Sequence, residues 1–265
     1  MHFYCVFGNP ISHSKSPILH NYVFYKLNIN ARYNRHLLKN DNNFRDMFLK
    51  HEYVGANVTL PFKETVVKYC DRIHGIANEI GAINTIIKDD NKLIGYNTDA
   101  SGFYKCIESY NIKNALIIGA GGSAKAIACI LKNKNINIMV INRSINRLDF
   151  FKAKNIKCIN IFELDIIKEV KFDLVINATS SSLNNELPLE IGLLKTLFLN
   201  ARIAFDLVYG TCKFLELAKQ YELITIDGSK MLLYQAIDAS SLFLNKPNET
   251  IANIMYEVFH IVFDT

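Results

Sequence analysis

The amino-acid sequence predicts an α/β fold in two domains. Apolar runs of strand length alternate with helical patterns along the chain, and this alternation indicates parallel sheets that are covered by helices on both faces. A glycine turn, Gly119-Ala-Gly-Gly122, follows the apolar run 115–118 and opens a helix, and it stands in the middle of a 265-residue chain. The C-terminal helical segments, 231–244 and 250–262, are accompanied by no strand. We therefore expect a first domain before the glycine turn, to which the C-terminal helices return.

The first half of the chain contains the elements of a complete α/β unit. The patterns predict strands at 3–7, 31–37 and 53–58, and a hairpin whose strands 83–88 and 92–95 flank the turn Asp89-Asp90-Asn91. They predict helices at 17–27, 41–50, 62–69 and 73–80, and another after Asp99.

The second half continues with a series of short apolar strands joined by helical segments. Strands are expected at 115–118, 138–142, 173–177, 203–207 and 223–226. The expected domains are 1–100 with 230–265, and 101–229 between them.

Composition excludes several classes of function. The net charge of +5 is mild and its basic residues are scattered, which argues against a nucleic-acid partner. No apolar run approaches the about 20 residues of a membrane span, and the N-terminus lacks a signal-peptide pattern. The six cysteines form no C-x-x-C pair, and none has a histidine at ligand spacing, so we expect reduced thiols, no metal site and a cytoplasmic location. The oligomeric state stays open, with a homodimer among the options.

The glycine turn has the order of residues that a dinucleotide-binding βαβ unit requires. Gly119 permits a tight turn, Gly121 lets the backbone approach a pyrophosphate, and the small Ala124 allows close packing of helix and strand. The N-terminus of the helix then offers N–H groups and a positive dipole end to the phosphates.

The next strand, 138–141, indicates which dinucleotide binds. A carboxylate normally stands at its end to hold the ribose 2′-hydroxyl, but here Asn142-Arg143-Ser144 follows, with Arg147 within one turn. Guanidinium and hydroxyl groups suit a 2′-phosphate, so the sequence favours NADP over NAD. The plainer alternative is that Arg143 is a solvated cation and that Ser144 only caps the next helix.

Polar residues in the first half supply groups for a small substrate. Ser14 and Ser16 flank the start of a helix, where Ser16 suits the N-cap and Pro17 the first helical position, and two hydroxyls there can hold a carboxylate. Lys63 and Asp99 together can accept the proton of an alcohol during its oxidation. Helix capping, an exposed lysine and a favourable helix-dipole acid are the plainer readings of these residues.

The ordered set of these motifs resembles the shikimate dehydrogenase family of the NADP-dependent type, over essentially the whole chain. The motifs that carry the resemblance are Gly8-Asn-Pro-Ile-Ser-His-Ser-Lys-Ser-Pro17, Asn57-Val-Thr-Leu-Pro-Phe-Lys63, Gly81-Ala-Ile-Asn-Thr85, Asn97-Thr-Asp99, Gly119-Ala-Gly-Gly122, Asn142-Arg-Ser144 and Asn177-Ala-Thr-Ser180.

The resemblance implies a substrate domain, a Rossmann-like NADP-binding domain and the reversible NADPH-dependent reduction of 3-dehydroshikimate to shikimate, on the route to chorismate and the aromatic amino acids. It implies that Lys63 transfers the proton with Asp99 as its partner. The implied substrate-binding residues are Ser14, Ser16, Thr59, Asn84, Asp99, Tyr209 and Gln235. The implied cofactor-binding residues are Gly119, Ala120, Gly121, Gly122, Ser123, Ala124, Asn142, Arg143, Ser144, Arg147, Thr179, Gly228 and Met231.

The chain departs from the family pattern at three places, the last of them near the expected nicotinamide position. Ser181 replaces a common glycine, the segment Gly210-Thr-Cys212 is short, and Ser229-Lys230 stands where the family usually has Leu-Gly. Two other functions therefore stay open: an NAD-dependent quinate/shikimate dehydrogenase, and an NADP-binding protein without turnover.

Overall fold

The computed structural model describes residues 1–161, 167 and 170–263. These residues form two compact units, one made of 1–103 with 232–265 and the other of 104–231. The α/β prediction is confirmed, because each unit contains a six-stranded sheet. That the units serve as substrate and cofactor domains stays a prediction.

The first unit contains a mixed sheet with the strand order β2-β1-β3-β5-β6-β4. The strands β2, β1 and β3 are parallel, whereas β5 and β6 form the predicted antiparallel hairpin. The first sheet is therefore mixed because it contains the hairpin that the sequence predicted. Its elements are β1 (His2–Gly8), α1 (Ser16–Lys26), β2 (Ala31–Leu37), α2 (Phe44–Lys50), β3 (Tyr53–Val58), β4 (Arg72–Ile73), α3 (Ile76–Ile80), β5 (Thr85–Asp89), β6 (Lys92–Tyr96), most of α4 (Asp99–Ile107), most of α9 (Ser229–Leu244) and α10 (Asn248–Phe263).

Apolar packing explains why the C-terminal helices belong to this unit. Leu19 and Val23 of α1 share a buried cluster with Ile237 of α9 and with Ile251 and Met255 of α10. Burial of such side chains is worth about 1.5–3 kcal/mol each. The amphipathic faces of α9 and α10 are thus covered by α1 and need no strand of their own.

The second unit contains a parallel sheet with the order β12-β11-β10-β7-β8-β9. Numbered within the unit this is 6-5-4-1-2-3, the doubly wound order of a Rossmann fold, with its switch point between β7 and β10. Its elements are β7 (Asn114–Ile118), α5 (Gly122–Asn133), β8 (Asn137–Asn142), α6 (Asp149–Lys152), β9 (Lys157–Asn160), β10 (Phe172–Asn177), α7 (Ile191–Leu199), β11 (Ala201–Asp206), α8 (Lys213–Gln220) and β12 (Ile224–Ile226).

Several local predictions were wrong. The expected helix 62–69 is a 3-10 helix at Thr65–Tyr69, and the expected helix 73–80 is the short strand β4 followed by α3. Strand β9 was not predicted, because its four residues are too few to give a pattern.

In the part of the chain that the model describes, no helix is long and apolar enough to cross a membrane. The same residues contain no cluster of three or more His, Cys, Asp or Glu side chains that could hold a metal ion.

Candidate active site

The glycine turn lies at the switch point of the second sheet. Gly119 has a φ of +114°, and a Cβ there would lie 3.0 Å from the carbonyl oxygen of Ala178, so this position requires glycine. The N–H of Ala178, just after β10, donates to the carbonyl of Ile118 at 2.9 Å. The two strand ends on either side of the switch point are therefore joined at the place where such folds bind a ligand.

The N-terminus of α5 presents backbone groups and has open space beside it. Gly121 is the N-cap residue and carries no side chain to satisfy the first N–H groups, and a Cβ there would meet nothing within 4 Å. Ala120, Gly122 and Ala124 are buried, and Ser123 is half-buried. A pyrophosphate fits this arrangement, because the backbone can approach it closely and the helix dipole favours its charge.

The residues after β8 form an exposed basic loop. Arg143, Ser144 and Arg147 are exposed, and the amide of Asn142 donates to the carbonyl of Ser144 at 3.0 Å. Ser144 is the N-cap residue of a 3-10 helix, but its side chain makes no capping hydrogen bond. The capping alternative for Ser144 is thus not what the structure shows, and the donor set suits a phosphate.

Three further predicted cofactor residues, Thr179, Gly228 and Met231, lie in segments that follow strands of the same sheet. Thr179 follows β10, and Gly228 and Met231 follow β12. The predicted substrate residue Tyr209 follows β11, which ends at Asp206. The N–H of Gly228 donates to the carbonyl of Val208 at 3.1 Å, and a Cβ on Gly228 would lie 2.1 Å from the carbonyl oxygen of Leu207. Only glycine permits this approach, whereas Met231 is buried one helical turn later.

In the first unit, Ser14 and Ser16 lie side by side and are buried. Their hydroxyls are 3.3 Å apart, and the N–H of Ser16 lies 3.4 Å from Ser14 Oγ. The helix α1 begins at Ser16 with Lys15 as N-cap, so the prediction of Ser16 as the N-cap was wrong. Arg35, which the sequence did not suggest, donates from Nε to the carbonyl of Ser14 at 2.9 Å and holds the loop.

Lys63 and Asp99 form a buried ion pair in the same unit. The distance from Lys63 Nζ to Asp99 Oδ2 is 2.6 Å, and the two side chains are 11% and 7% exposed. Lys63 lies between β3 and the 3-10 helix, whereas Asp99 begins α4, 36 residues later. The readings of an exposed lysine and a plain helix-dipole acid do not describe this geometry.

Asn84 connects the ion pair to Gln235. Its Nδ2 donates to Asp99 Oδ1 at 2.8 Å and to Thr98 Oγ1 at 2.9 Å, and lies 3.3 Å from Gln235 Oε1. The N–H of Thr98 donates back to Asn84 Oδ1 at 2.7 Å. A substrate hydroxyl at Asn84 would therefore share these contacts. Thr98, which belongs to a motif quoted above but was not chosen as a site residue, is part of the arrangement.

A second set of buried polar groups is hydrogen-bonded to Asn84 and its neighbour Thr85. Asn57 Nδ2 donates to the Asn84 carbonyl at 3.1 Å and to Thr85 Oγ1 at 3.0 Å, and Tyr33 donates its hydroxyl to Asn57 Oδ1 at 2.6 Å. The His20 ring stacks on Tyr33 with centroids 4.3 Å apart. Burial lowers the pKa of His20 to about 3, so this imidazole is neutral near pH 7.

The structure brings the predicted residues together in two sets. In the first unit, Asp99, Lys63, Asn84 and Gln235 are in one hydrogen-bonded group, Ser14 and Ser16 form a separate pair, and Thr59 is half-buried after β3. The predicted cofactor residues all lie in the second unit, at the carboxyl ends of β7, β8, β10 and β12 or just beyond them, and the predicted substrate residue Tyr209 lies in the same unit after β11.

Two family models and a curated relative match the chain. Residues 6–86 match the family model described as the shikimate dehydrogenase substrate binding domain, and residues 104–186 match the model of shikimate / quinate 5-dehydrogenase. A shikimate dehydrogenase (NADP(+)) of Helicobacter hepaticus is 48% identical over 266 residues, which cover 97% of this chain and 98% of that protein.

Solved structures of shikimate dehydrogenases have folds similar to that of this chain. Shikimate dehydrogenase 1 from Peptoclostridium difficile superposes with a TM-score of 0.85 at 29% identity and covers 99% of both chains. Shikimate 5-dehydrogenase from Thermus thermophilus, in complex with NADP(H) and shikimate, superposes with a TM-score of 0.82 at 28% identity and covers 97% of this chain and 99% of that one. The chain belongs to the shikimate dehydrogenase family.

Proposed function

We propose that this protein catalyses the reversible NADPH-dependent reduction of 3-dehydroshikimate to shikimate, a step toward chorismate and the aromatic amino acids. The observation that carries the proposal is the buried Lys63–Asp99 pair, 2.6 Å apart, within the hydrogen-bonded group that includes Asn84 and Gln235. A binding protein without turnover has no need to bury such a pair, since removing two charges from water is costly.

Lys63 is the group that moves the proton. As the neutral amine, its Nζ accepts the proton of the substrate hydroxyl during oxidation and becomes the ammonium; during reduction the ammonium gives this proton to the carbonyl oxygen and becomes the amine again. Asp99 holds the ammonium through Oδ2, and Asn84 fixes the other carboxylate oxygen, so the amine is kept in one position. NADP, when bound, takes or supplies the hydride at the same carbon.

The substrate carboxylate binds at Ser14 and Ser16, and the ring hydroxyls bind at Thr59, Asn84, Asp99 and Gln235. Tyr209 of the second unit stays a predicted substrate-binding residue. The two adjacent serine hydroxyls support the first assignment, because each can rotate to donate to an anion.

NADP is the cofactor that the second unit suits. The Rossmann strand order, the Gly119 turn and the open space at Gly121 fit a dinucleotide. The exposed residues Arg143, Ser144 and Arg147 would hold the 2′-phosphate, at the place where an NAD-binding protein has a carboxylate.

The test is the rate of shikimate oxidation with NADP⁺ and with NAD⁺, for the wild type and for Lys63→Ala. Turnover with NADP⁺ that is lost in Lys63→Ala supports the proposal. Lys68→Ala is the matched control, because Lys68 is an exposed lysine of the 3-10 helix that follows Lys63, and its ammonium pairs with Asp41.

Each alternative predicts a different result. A preference for NAD⁺ would identify an NAD-dependent quinate/shikimate dehydrogenase. Binding of NADP⁺ without turnover would identify a protein that kept the fold and lost catalysis. Normal turnover of Lys63→Ala would refute only the role of Lys63 as the proton-transfer group.

A cytoplasmic location and a homodimer are further parts of the proposal that need their own tests. None of the six cysteines, all of which the model describes, forms a disulfide, as expected of a reducing compartment. Cell fractionation tests the location, and light scattering after size-exclusion chromatography distinguishes a dimer from a monomer.

A further inference from the structure

The carboxyl ends of β10 and β11 are joined by a buried pair that belongs to none of the predicted site residues. Asn177 and Asp206 are the last residues of these neighbouring strands and stand opposite each other in the register. Both are fully buried, and Asn177 Nδ2 donates to Asp206 Oδ2 at 2.8 Å.

Asp206 collects four hydrogen bonds from two different segments. Its Oδ2 accepts from Asn177 Nδ2, from Ser182 Oγ at 2.7 Å and from Cys212 Sγ at 3.4 Å, and its Oδ1 accepts from the N–H of Val208 at 2.9 Å. Burial raises the pKa of Asp206, and the donors act in the opposite direction. The carboxylate therefore ties the segment 177–182 to the segment 206–212.

Each tied segment leads directly to a predicted ligand-binding residue. Asn177 Oδ1 accepts from the N–H of Thr179 at 3.1 Å and from its hydroxyl at 2.7 Å. Val208 immediately precedes Tyr209, and the Val208 carbonyl accepts from Gly228. Thr179, Tyr209 and Gly228 are thus each connected to the Asn177–Asp206 pair through at most one intervening residue.

Two departures of this chain from its family pattern join the same group. Ser181 Oγ lies 2.9 Å from Thr179 Oγ1 and 3.4 Å from Asn177 Nδ2. Cys212 donates its thiol to Asp206, and it is 2% exposed. The replaced glycine and the shortened segment therefore add polar contacts to this pair.

We propose that Asp206, together with Asn177, is a positioning residue that sets the Thr179 turn and the Val208–Tyr209 segment for the nicotinamide half of NADP. The inference rests on the proposed function, because it concerns the same cofactor. Asp206 touches neither substrate nor cofactor. It acts through the two backbone segments, which it holds in the conformation that accepts the ligand.

The test compares the binding of NADP⁺ with that of adenosine 2′,5′-bisphosphate by calorimetry. The fragment lacks the nicotinamide half and carries only the 2′-phosphate, for Arg143, and one 5′-phosphate, for the glycine turn. In Asp206→Asn, the amide NH₂ faces at least one of the groups that donate to the carboxylate. Because that donor loses its acceptor, we expect NADP⁺ to bind about tenfold more weakly or worse, while the fragment binds as it does to the wild type.

Asp173→Asn is the matched control at the opposite end of β10. The Asp173 carboxylate also accepts from two backbone N–H groups, at 2.8 and 3.0 Å, and from Arg202 at 3.2 Å. Its replacement changes a comparable number of hydrogen bonds far along the strand from Thr179. We expect the affinity ratio of NADP⁺ to fragment to stay at the wild-type value.

The outcomes separate the two proposals. A wild type that binds neither ligand refutes the NADP function itself. A wild type that binds both, with an Asp206→Asn variant that keeps its NADP⁺ affinity or loses both ligands equally, overturns the positioning role. If Asp206→Asn does not fold, Ser182→Ala decides, since it removes one donor to the same oxygen. About threefold weaker NADP⁺ binding with an unchanged fragment supports the role, and no selective change overturns it.

Discussion

The Lys63→Met substitution tests whether the candidate site is held together by a buried charge pair. Methionine keeps the unbranched stem of the lysine and removes the ammonium, which leaves the Asp99 carboxylate without the cation 2.6 Å from Oδ2. Asn84 still donates to Oδ1 at 2.8 Å, but a neutral amide compensates a carboxylate less well than an ammonium does.

The expected magnitude follows from the burial of both partners. The Lys63 and Asp99 side chains are 11% and 7% exposed, so water cannot replace the lost partner. Breaking such a pair from one side costs about 3–5 kcal/mol, whereas removing both charges costs much less. The double variant Lys63→Met/Asp99→Asn should therefore be more stable than Lys63→Met alone, with a coupling energy of about 2 kcal/mol or more.

The assay is urea unfolding followed by circular dichroism, for the two single variants, the double variant and the wild type. Lys68→Met should change stability less, because the Lys68 side chain is 60% exposed and water screens its pair with Asp41. Turnover of shikimate should fall about 10²–10⁴-fold in both variants that lack Lys63, including the stabilised double variant.

Two results would refute the reasoning. A Lys63→Met protein as stable as the wild type, with no coupling to Asp99, would show that no buried ion pair exists. Recovery of turnover together with stability in the double variant would show that Lys63 acts through the fold and not as the proton-transfer group.

Three further predictions, one of them with a matched control variant, concern the cofactor site and the buried histidine. Arg143→Ala should weaken NADP⁺ binding about tenfold or more and NAD⁺ binding little, since only NADP⁺ carries the 2′-phosphate. Equal losses of affinity in titrations with both cofactors would contradict the assignment of Arg143 to the 2′-phosphate. Gly121→Ala should unfold at the wild-type temperature, because its Cβ meets nothing within 4 Å, yet bind NADP⁺ at least tenfold more weakly if the pyrophosphate lies there. Gly192→Ala, which is equally unhindered but lies in α7, should leave NADP⁺ binding unchanged. The folded-state pKa of His20, about 3, lies below its unfolded value of about 6.5, so its contribution to stability is complete above about pH 6.5 and is lost as the pH falls toward 3. Stability measured from pH 7 to 4 should fall less steeply in His20→Asn, by up to about 1.4 kcal/mol per pH unit, and parallel curves would contradict the neutral buried state.

The sequence predicted five of the six strands of each sheet and missed the short β4 and β9. Several strands of the second sheet are almost continuous apolar runs, and the glycine turn marks where the first of them ends. In the first unit, the segment 62–80 folds into a 3-10 helix, a two-residue strand and a five-residue helix. Elements this short do not complete a period, so their type depends on tertiary contacts.

The site residues also divide into those that a local pattern predicts and those that depend on tertiary contacts. Lys63, Asp99, Ser14 and Ser16 were found because they stand in recognisable motifs beside strand ends. Tyr33 and Asn57 were not predicted as site residues, although Tyr33 donates to Asn57 and Asn57 donates to the Asn84 carbonyl. A hydrogen bond between residues 24 positions apart leaves no local pattern in the sequence. The contact of Asn84 with Gln235 spans 151 positions and depends on the return of α9.

Two buried carboxylates, Asp99 of the predicted substrate site and Asp206 beside the predicted cofactor residues, differ in what their donors can do. Asp206 accepts from an amide, a hydroxyl, a thiol and a backbone N–H, all of them neutral and none able to release a proton readily near pH 7. Asp99 accepts from an ammonium, which can exchange a proton with a substrate oxygen. The same burial therefore gives Asp206 a role in holding backbone and Asp99 a role beside the proton-transfer group. We therefore expect the acid–base chemistry in the first unit and the cofactor in the second.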